Sequence, residues 1–363
     1  MNPGVERYET AEGARIYRIP MQLFPELEGF AHLIITPAFV ALYDVGSGFG
    51  DAGEQLDAGL RQVRDQFGEH VDWEDISCVL LSHGHIDHFG GLPFVRSRCQ
   101  APVYIHALDR RVLTRYEERL ALVARRLRAF LMEAGVPGEE AEGIMALYML
   151  NKGLFTSQEV DGTYEDLPSE VRARLRFLHV PGHCPGQVVV LVDDILLSAD
   201  HVLEHTSPHQ SPERLSLYTG LGHYFESLSR LQVFASKVRL TLGGHEGPIH
   251  DLDRHIHSLF AMHGERMRDI LGMAEQPLTI YEIAGRLFPI TEGYHRLLAL
   301  EEAAAHVEFL YLHGFLRIEN LADLERDDAR PLEYTRTEVP GTPLEAVAQL
   351  AGVPCREPSR TVD

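Results

Sequence analysis

The sequence predicts an α/β protein followed by a smaller, mainly helical region, and three observations carry that prediction. Short β-type runs alternate with loops over the first third of the chain. Strand signals return between Leu175 and Leu242 after a long helical interruption. From about Asp251 the pattern changes to three helices and a short hairpin. At roughly 150 residues per domain, 363 residues accommodate one large and one small domain.

The elements follow in order. Arg15–Ile19, His32–Thr36 and Phe39–Tyr43 read as strands. Gly46, Gly48 and Gly50 mark a loop, and Glu54 to Phe67 has helical spacing. Ser77–Ser82 reads as a buried strand running into His83, and Val103–Ile105 as another short strand. Residues 108–150 are helical, divided by Gly135, Pro137 and Gly138. Strands are expected at Leu175–Val180, Gln187–Val192, Ile195–Ser198 and Val238–Leu242. Residues 251–272 form the next helix. Thr279 and Glu282 have capping-box spacing, and Tyr294–His313 is a helix stopped by Gly314. Phe315–Glu319 and Leu332–Tyr334 pair as a hairpin. The expected domains are 1–250, with a helical insert at about 108–165, then 251–338, then a tail at 339–363.

Composition narrows the function classes. Lys+Arg number 33 against Asp+Glu 54, a formal charge of -21, so nucleic acid is not an expected partner. Lys152 and Lys237 are the only lysines, a bias that reads as the genome composition of a GC-rich bacterium. Cys78, Cys99, Cys184 and Cys355 form no CxxC pair and are too few for a disulfide framework, which points to reduced thiols in a cytoplasm. Met1–Pro20 lacks the apolar core of a signal peptide, and no membrane span is expected.

The chemistry is concentrated in Leu80-Leu-Ser-His-Gly-His-Ile-Asp-His-Phe-Gly-Gly91. It sets His83, His85, Asp87 and His88 within six residues behind an apolar strand. Imidazole and carboxylate are ligands for zinc and similar divalent ions. Four of them exceed what one tetrahedral ion with an open position needs, so the string suggests two metals.

This string resembles the HxHxDH signature of the metallo-β-lactamase superfamily. Three further blocks resemble that family in order: Pro181-Gly-His-Cys-Pro-Gly186, Leu196-Leu-Ser-Ala-Asp200 and Leu242-Gly-Gly-His-Glu-Gly-Pro-Ile249. The resemblance covers about residues 15–250 and implies an αββα four-layer sandwich. It implies His83, His85 and His183 as the first metal's ligands and Asp87, His88 and His245 as the second's, with Asp200 bridging. It also implies a supporting role for Asp44, as a carboxylate that orients a ligand imidazole or caps a turn. Cys184 stands where the family usually has Thr, and Ala199 where it usually has Gly. Cys184 is expected to fill the turn as a small residue, ahead of a thiol that oxidises or competes for metal, and Ala199 is expected to matter little.

Two divalent ions, Zn2+ first with Fe or Mn as alternatives, would lower the pKa of a bridging water to near neutrality. The implied enzyme is a binuclear hydrolase whose metal-bridging hydroxide attacks a small-molecule ester, thioester or lactone. Asp87 and Asp200 are its expected catalytic carboxylates, with Asp87 accepting a proton. The alternatives are an RNA phosphodiesterase and a mono-iron sulfur dioxygenase-type enzyme.

Around this core, Arg110, Arg111, Arg115, Arg119, Arg125, Arg126 and Arg128 read as a solvated helix face paired with acids. Ile144–Leu150 reads as core or as contact with a second copy, so a homodimer stands among the expected partners beside a small-molecule substrate. His205, His209, Tyr218, His223 and Tyr224 follow Asp200 and are candidates to line a cleft, with Tyr218 or Tyr224 reaching an oxyanion, although each alone reads first as an ordinary loop or packing residue. His250, His255, His257 and His263 read as surface. The C-terminal region resembles a winged-helix-like extension of one branch of the superfamily. Its third helix carries Glu301, Glu302 and Glu308, which would repel phosphate, so a structural brace is expected.

Overall fold

The strand signals of the first third belong to one seven-stranded sheet, ordered as in the chain: β1 (Glu6–Glu9), β2 (Arg15–Phe24), β3 (Leu27–Ile35), β4 (Val40–Tyr43), β5 (Ile76–Leu81), β6 (Val103–Ile105) and β7 (Gly162–Thr163). This is a computed structural model, and it describes residues 4–289, 292–327, 330–339, 341–343 and 345–347. Cys355 and most of the expected tail lie outside the described residues. A second sheet has the order β12-β11-β10-β9-β8. Its strands are β8 (Leu175–His179), β9 (Val188–Val192), β10 (Ile195–Ala199), β11 (Leu240–Gly243) and β12 (Pro248–Ile249).

The first hairpin is longer than expected. The run read as Arg15–Ile19 continues to Phe24 and pairs with β3 along its length. Pro20 does not stop it, because β1 pairs only as far as Arg18 and leaves Pro20 on a free edge where no N–H is required. Ile19, Met21 and Leu23 keep the alternation of a half-buried strand.

The chain divides into two compact units. Unit 1 comprises Met1–Val123, Leu150–Pro208 and Phe234–His255, and holds both sheets. Ile16, Ile34, Tyr43 and Leu80 of the first sheet meet Val190, Leu197 and Leu242 of the second in one apolar layer. On the other face of the first sheet, Ile19, Leu33, Val79 and Leu81 pack with Leu56, Leu60 and Val63 of the helix Ala52–Phe67. Each such side chain contributes about 1.5–3 kcal/mol on burial, so this layering fixes the strand ends that carry the site.

Unit 2 comprises Ala124–Met149, His209–Val233 and Ile256–Asp363. The expected capping box is present: Glu282 N donates to Thr279 Oγ1 at 3.2 Å and Thr279 N to Glu282 Oε2 at 2.8 Å. The helix Tyr294–Leu312 ends before Gly314, whose φ of 76° suits glycine. Strands β13 (Leu316–Ile318) and β14 (Tyr334–Arg336) pair antiparallel. The helix Leu221–Gln232 lies outside the expected elements, although Tyr224, Phe225, Leu228 and Leu231 form its apolar stripe. The long helical stretch also breaks once more than expected, at Arg115, where Tyr116 N turns to Ser157 Oγ at 2.9 Å.

Among the described residues, no helix is long and apolar enough to cross a membrane.

Candidate metal centre

The candidate ligands sit at strand ends. β5 delivers Ser82 and His83, and the turn that follows carries His85, Asp87 and His88. β10 ends immediately before Asp200, and β11 ends two residues before His245. The turn after β8 carries His183. β4 and β5 run parallel, as do β10 and β11, so their carboxyl ends open on one side. The glycines after His88 permit a close approach: a Cβ at Gly90 would lie 2.1 Å from Ser47 O, and one at Gly91 2.1 Å from Val45 O.

All seven expected site residues come together in two sets. His83, His85 and His183 form one, and Asp87, His88, Asp200 and His245 the other. His183 Nε2 lies 3.0 Å from His85 Nδ1. His83 Nε2 is buried with no hydrogen-bond partner. In the second set, Asp87 Oδ2 is 3.7 Å from His88 Nε2 and 3.4 Å from His245 Nε2. Asp200 faces both sets: its Oδ1 is 3.2 Å from His88 Nε2, and its Oδ2 is 3.5 Å from His245 Nε2 and 3.8 Å from His183 Nε2. His88 Nε2 and Asp200 Oδ1 are both buried and meet without hydrogen-bond alignment. Inward-facing, orphaned nitrogens and carboxylate oxygens are what a ligand shell for divalent cations requires, so these residues fit such ions.

The imidazoles are held from behind. His88 Nδ1 donates to Asp44 Oδ2 at 2.8 Å, and His245 Nδ1 to Glu28 O at 2.6 Å. His83 Nδ1 lies 2.9 Å from Ser82 Oγ. A proton committed to the rear nitrogen leaves Nε2 as the ligand atom. Asp44 performs both tasks expected of it: besides orienting His88, its Oδ1 accepts from Ser82 N at 2.7 Å and so caps the turn.

The two sets differ in charge. Burial, helped by the neighbouring histidines, holds His83 well below the ordinary histidine range, so it arrives as a neutral ligand. Burial pulls His88 down as well, but Asp200, Asp44 and Asp87 outweigh it and raise it well above that range. His245 is likewise lifted to about 10, mainly by Asp200 and Asp87 acting against burial. Burial opposes ionisation of Asp87 and Asp200, yet His88 and His245 hold both carboxyls below their usual range. The field that keeps protons on these histidines is also the field that attracts a dication.

Several neighbouring expectations need correction. Tyr224 is fully buried against Phe225 and His263, so of its two readings the packing one holds and the cleft-lining one does not. His263 is not at the surface: it is fully buried, 3.0 Å from His306 Nε2. Glu301, Glu302 and Glu308, expected only to repel phosphate, have partners inside the unit. Glu302 accepts from Gln210 N, Glu308 from Glu213 N, and Glu301 meets His209, so the three anchor the segment 209–213. Sequence reasoning also missed Asp109, counted only as one acid among arginines. It is fully buried and accepts from Gly84 N at 2.8 Å and Gly186 N at 2.9 Å.

Comparison with known proteins agrees with this geometry. Residues 25–252 match the family model described as the metallo-beta-lactamase superfamily. A probable metallo-hydrolase, YqjP of Bacillus subtilis, is 24% identical over 277 residues, covering 72% of this chain and 83% of that protein. Among solved structures, the metallo-beta-lactamase family protein TTHA1429 of Thermus thermophilus is 26% identical, with a TM-score of 0.69 over 89% of this chain and 98% of that one. A beta-lactamase domain protein from Burkholderia ambifaria shares the fold at 22% identity and TM-score 0.69, over 92% and 94% of the two chains.

Proposed function

The chain belongs to the metallo-β-lactamase superfamily, and on that premise we propose that it is a binuclear metal-dependent hydrolase of a small-molecule ester, thioester or lactone. The observation that carries this reading is Asp200, whose two carboxylate oxygens face the three-histidine set and the Asp87–His88–His245 set together. His83, His85 and His183 would hold one ion, Asp87, His88 and His245 the other, and Asp200 would serve both. Bound there, two divalent ions supply Lewis acidity and a water whose pKa lies near neutrality.

The chain's own residues do the rest. Asp44, Glu28 O and Ser82 keep the imidazoles aimed. Asp87 is ionised, and its side chain retains 18% exposure, so it sits at the open edge of the site. Its carboxylate would accept a proton during collapse of the intermediate. The sequence offers no obvious separate general acid to protonate a poor leaving group. A leaving group that departs readily as an anion, a thiolate or alkoxide, suits such a site.

The test is a panel of thioesters, lactones and phosphodiesters on protein purified without chelator, with metal counted per chain. We expect near two zinc or manganese ions, and turnover of a thioester or lactone that chelator abolishes. Near one iron with thiol-dependent oxygen consumption, or cleavage confined to single-stranded RNA, would overturn the proposal.

A further inference from the structure

Asp109 lies 25 residues beyond Gly84 in sequence and belongs to the helix Ala107–Thr114, outside every block that resembles the family. Its carboxylate nevertheless joins the two turns that carry the three-histidine set. Oδ2 accepts from Gly84 N, the residue between His83 and His85, at 2.8 Å. Oδ1 accepts from Gly186 N at 2.9 Å, and the Cys184 thiol donates to Oδ2 at 3.2 Å. Cys184 follows His183 directly. Gly186 is needed for the approach, since a Cβ there would come within 2.6 Å of Asp109 Cγ, and one at Gly84 would be a tight 3.3 Å from the same atom.

These contacts parallel those of Asp44. One carboxylate pins the second set by holding His88 and the Ser82 backbone. The other pins the first set through the backbone on either side of its ligands. A buried carboxylate that has already collected three donors cannot drift without losing them, so the spacing of its partners is fixed. The Cys184 thiol gains a purpose here that a bare turn-filling residue lacks.

We propose that Asp109 is a positioning residue that sets the separation of the His83–His85 turn from the His183 turn, and thereby the metal affinity of the three-histidine set. The inference rests on the reading that this cluster holds two metal ions. Partners of this kind around a ligand shell are worth about 10–100-fold in affinity.

The experiment titrates metal-stripped protein with Co2+, following the visible ligand-field bands, in a His88→Ala background so that the three-histidine set is read by itself. Asp109→Asn should weaken that binding at least about tenfold and alter the band pattern. Its Asn amide would have to present N–H to one of the two backbone donors. In the parent with His88 intact, the second equivalent should stay within about twofold. Cys184→Ala should weaken the same set about threefold, and Cys184→Thr, which restores a hydroxyl donor, should recover it. Unchanged affinity in Asp109→Asn, or equal losses in both sets, would overturn the proposal. Should Asp109→Asn fail to fold, equal affinities of Cys184→Ala and the parent would overturn it instead. A parent that binds no Co2+ at all would sink the metal-centre reading itself, a separate outcome from either.

Discussion

Each unit buries histidines and carboxylates close together, and the two groups have opposite character. In unit 1 the ring nitrogens of the histidines converge on one another and on two carboxylates, and what holds Asp87 and Asp200 ionised is His88 and His245. In unit 2, His263, Glu302 and His306 are equally close together. There Glu302 is already spoken for: Arg266 Nη1 is 2.8 Å from its Oε1, and Gln210 N donates to its Oε2 at 2.7 Å. His306 Nδ1 donates to Glu302 O at 2.7 Å, and its Nε2 receives the proton of His263 Nδ1 at 3.0 Å. That group is a chain of hydrogen bonds with a resident cation, Arg266, and it leaves His263 Nε2 buried without a hydrogen-bond partner. The two groups therefore differ in charge rather than in residue type or proximity: Arg266 already offsets Glu302, whereas among the described contacts Asp87 and Asp200 face only histidines.

His88→Ala breaks the comparison most severely. It removes a proposed ligand and leaves Asp44, Asp87 and Asp200 without the histidine between them. Turnover should fall at least about a hundredfold, given the role of metal-activated water, and metal per chain should drop from two toward one. Unchanged turnover would sink the two-metal mechanism. His306→Ala is the matching change in unit 2, and metal analysis should find its content unchanged. Asp44→Asn comes next. It keeps the shape but loses the charge that orients His88, so chelator competition should show the second metal bound about 10–100-fold more weakly.

The unit 2 group is sharpened by pH. Burial holds both His263 and His306 below the ordinary histidine range, with Arg266 assisting. The unfolded chain takes up those protons near a pH of about 6.5, before the folded protein does. Their contribution is thus present above that pH and lost as pH falls through it toward the folded values. His209 has the opposite sign: Glu301 and Glu302 raise it against burial, so it favours the folded state in acid and loses that effect as pH rises through its elevated value. His263→Leu should cost about 1–3 kcal/mol at neutral pH, by leaving His306 Nε2 without its donor. It should also flatten the fall in stability between pH 7 and pH 5, measured by urea denaturation. An unaltered slope would show that His263 takes no part in it.

What the sequence revealed follows the range of the interactions involved. The seven candidate ligands were legible because strand-to-turn junctions impose short motifs, and each motif lies within a few residues. The alternation of buried residues likewise marked the sheets, apart from the extension past Pro20, which depends on where β1 stops. His263 was misread because its partner lies 43 residues away on another helix. Asp109 was invisible for the same reason: its meaning lies in the backbone of Gly84 and Gly186, which no pattern of side chains announces. The glutamates of the helix Tyr294–Leu312 could be read only as groups that repel phosphate, because nothing local shows that Gln210 and Glu213 present N–H groups to them.

Ala199 provides the smallest effect and a check on how tolerant the site is. It precedes Asp200 at a φ of 44°, a backbone region that favours glycine, and glycine is what the family motif usually has there. A Cβ in that region costs about 1–2 kcal/mol. Two opposing contributions favour alanine. Its methyl is fully buried in the layer between the sheets, worth about 0.8 kcal/mol. Glycine would also add about 0.5–1 kcal/mol of backbone entropy to the unfolded chain. The three nearly cancel, so Ala199→Gly should change stability by no more than about 0.5 kcal/mol in urea denaturation, with metal content unchanged. A gain well above that would mean the methyl packs poorly and the strand end is strained. A comparable loss would mean that the packing between the sheets, rather than the turn, is what holds Asp200 at the junction of the two ligand sets.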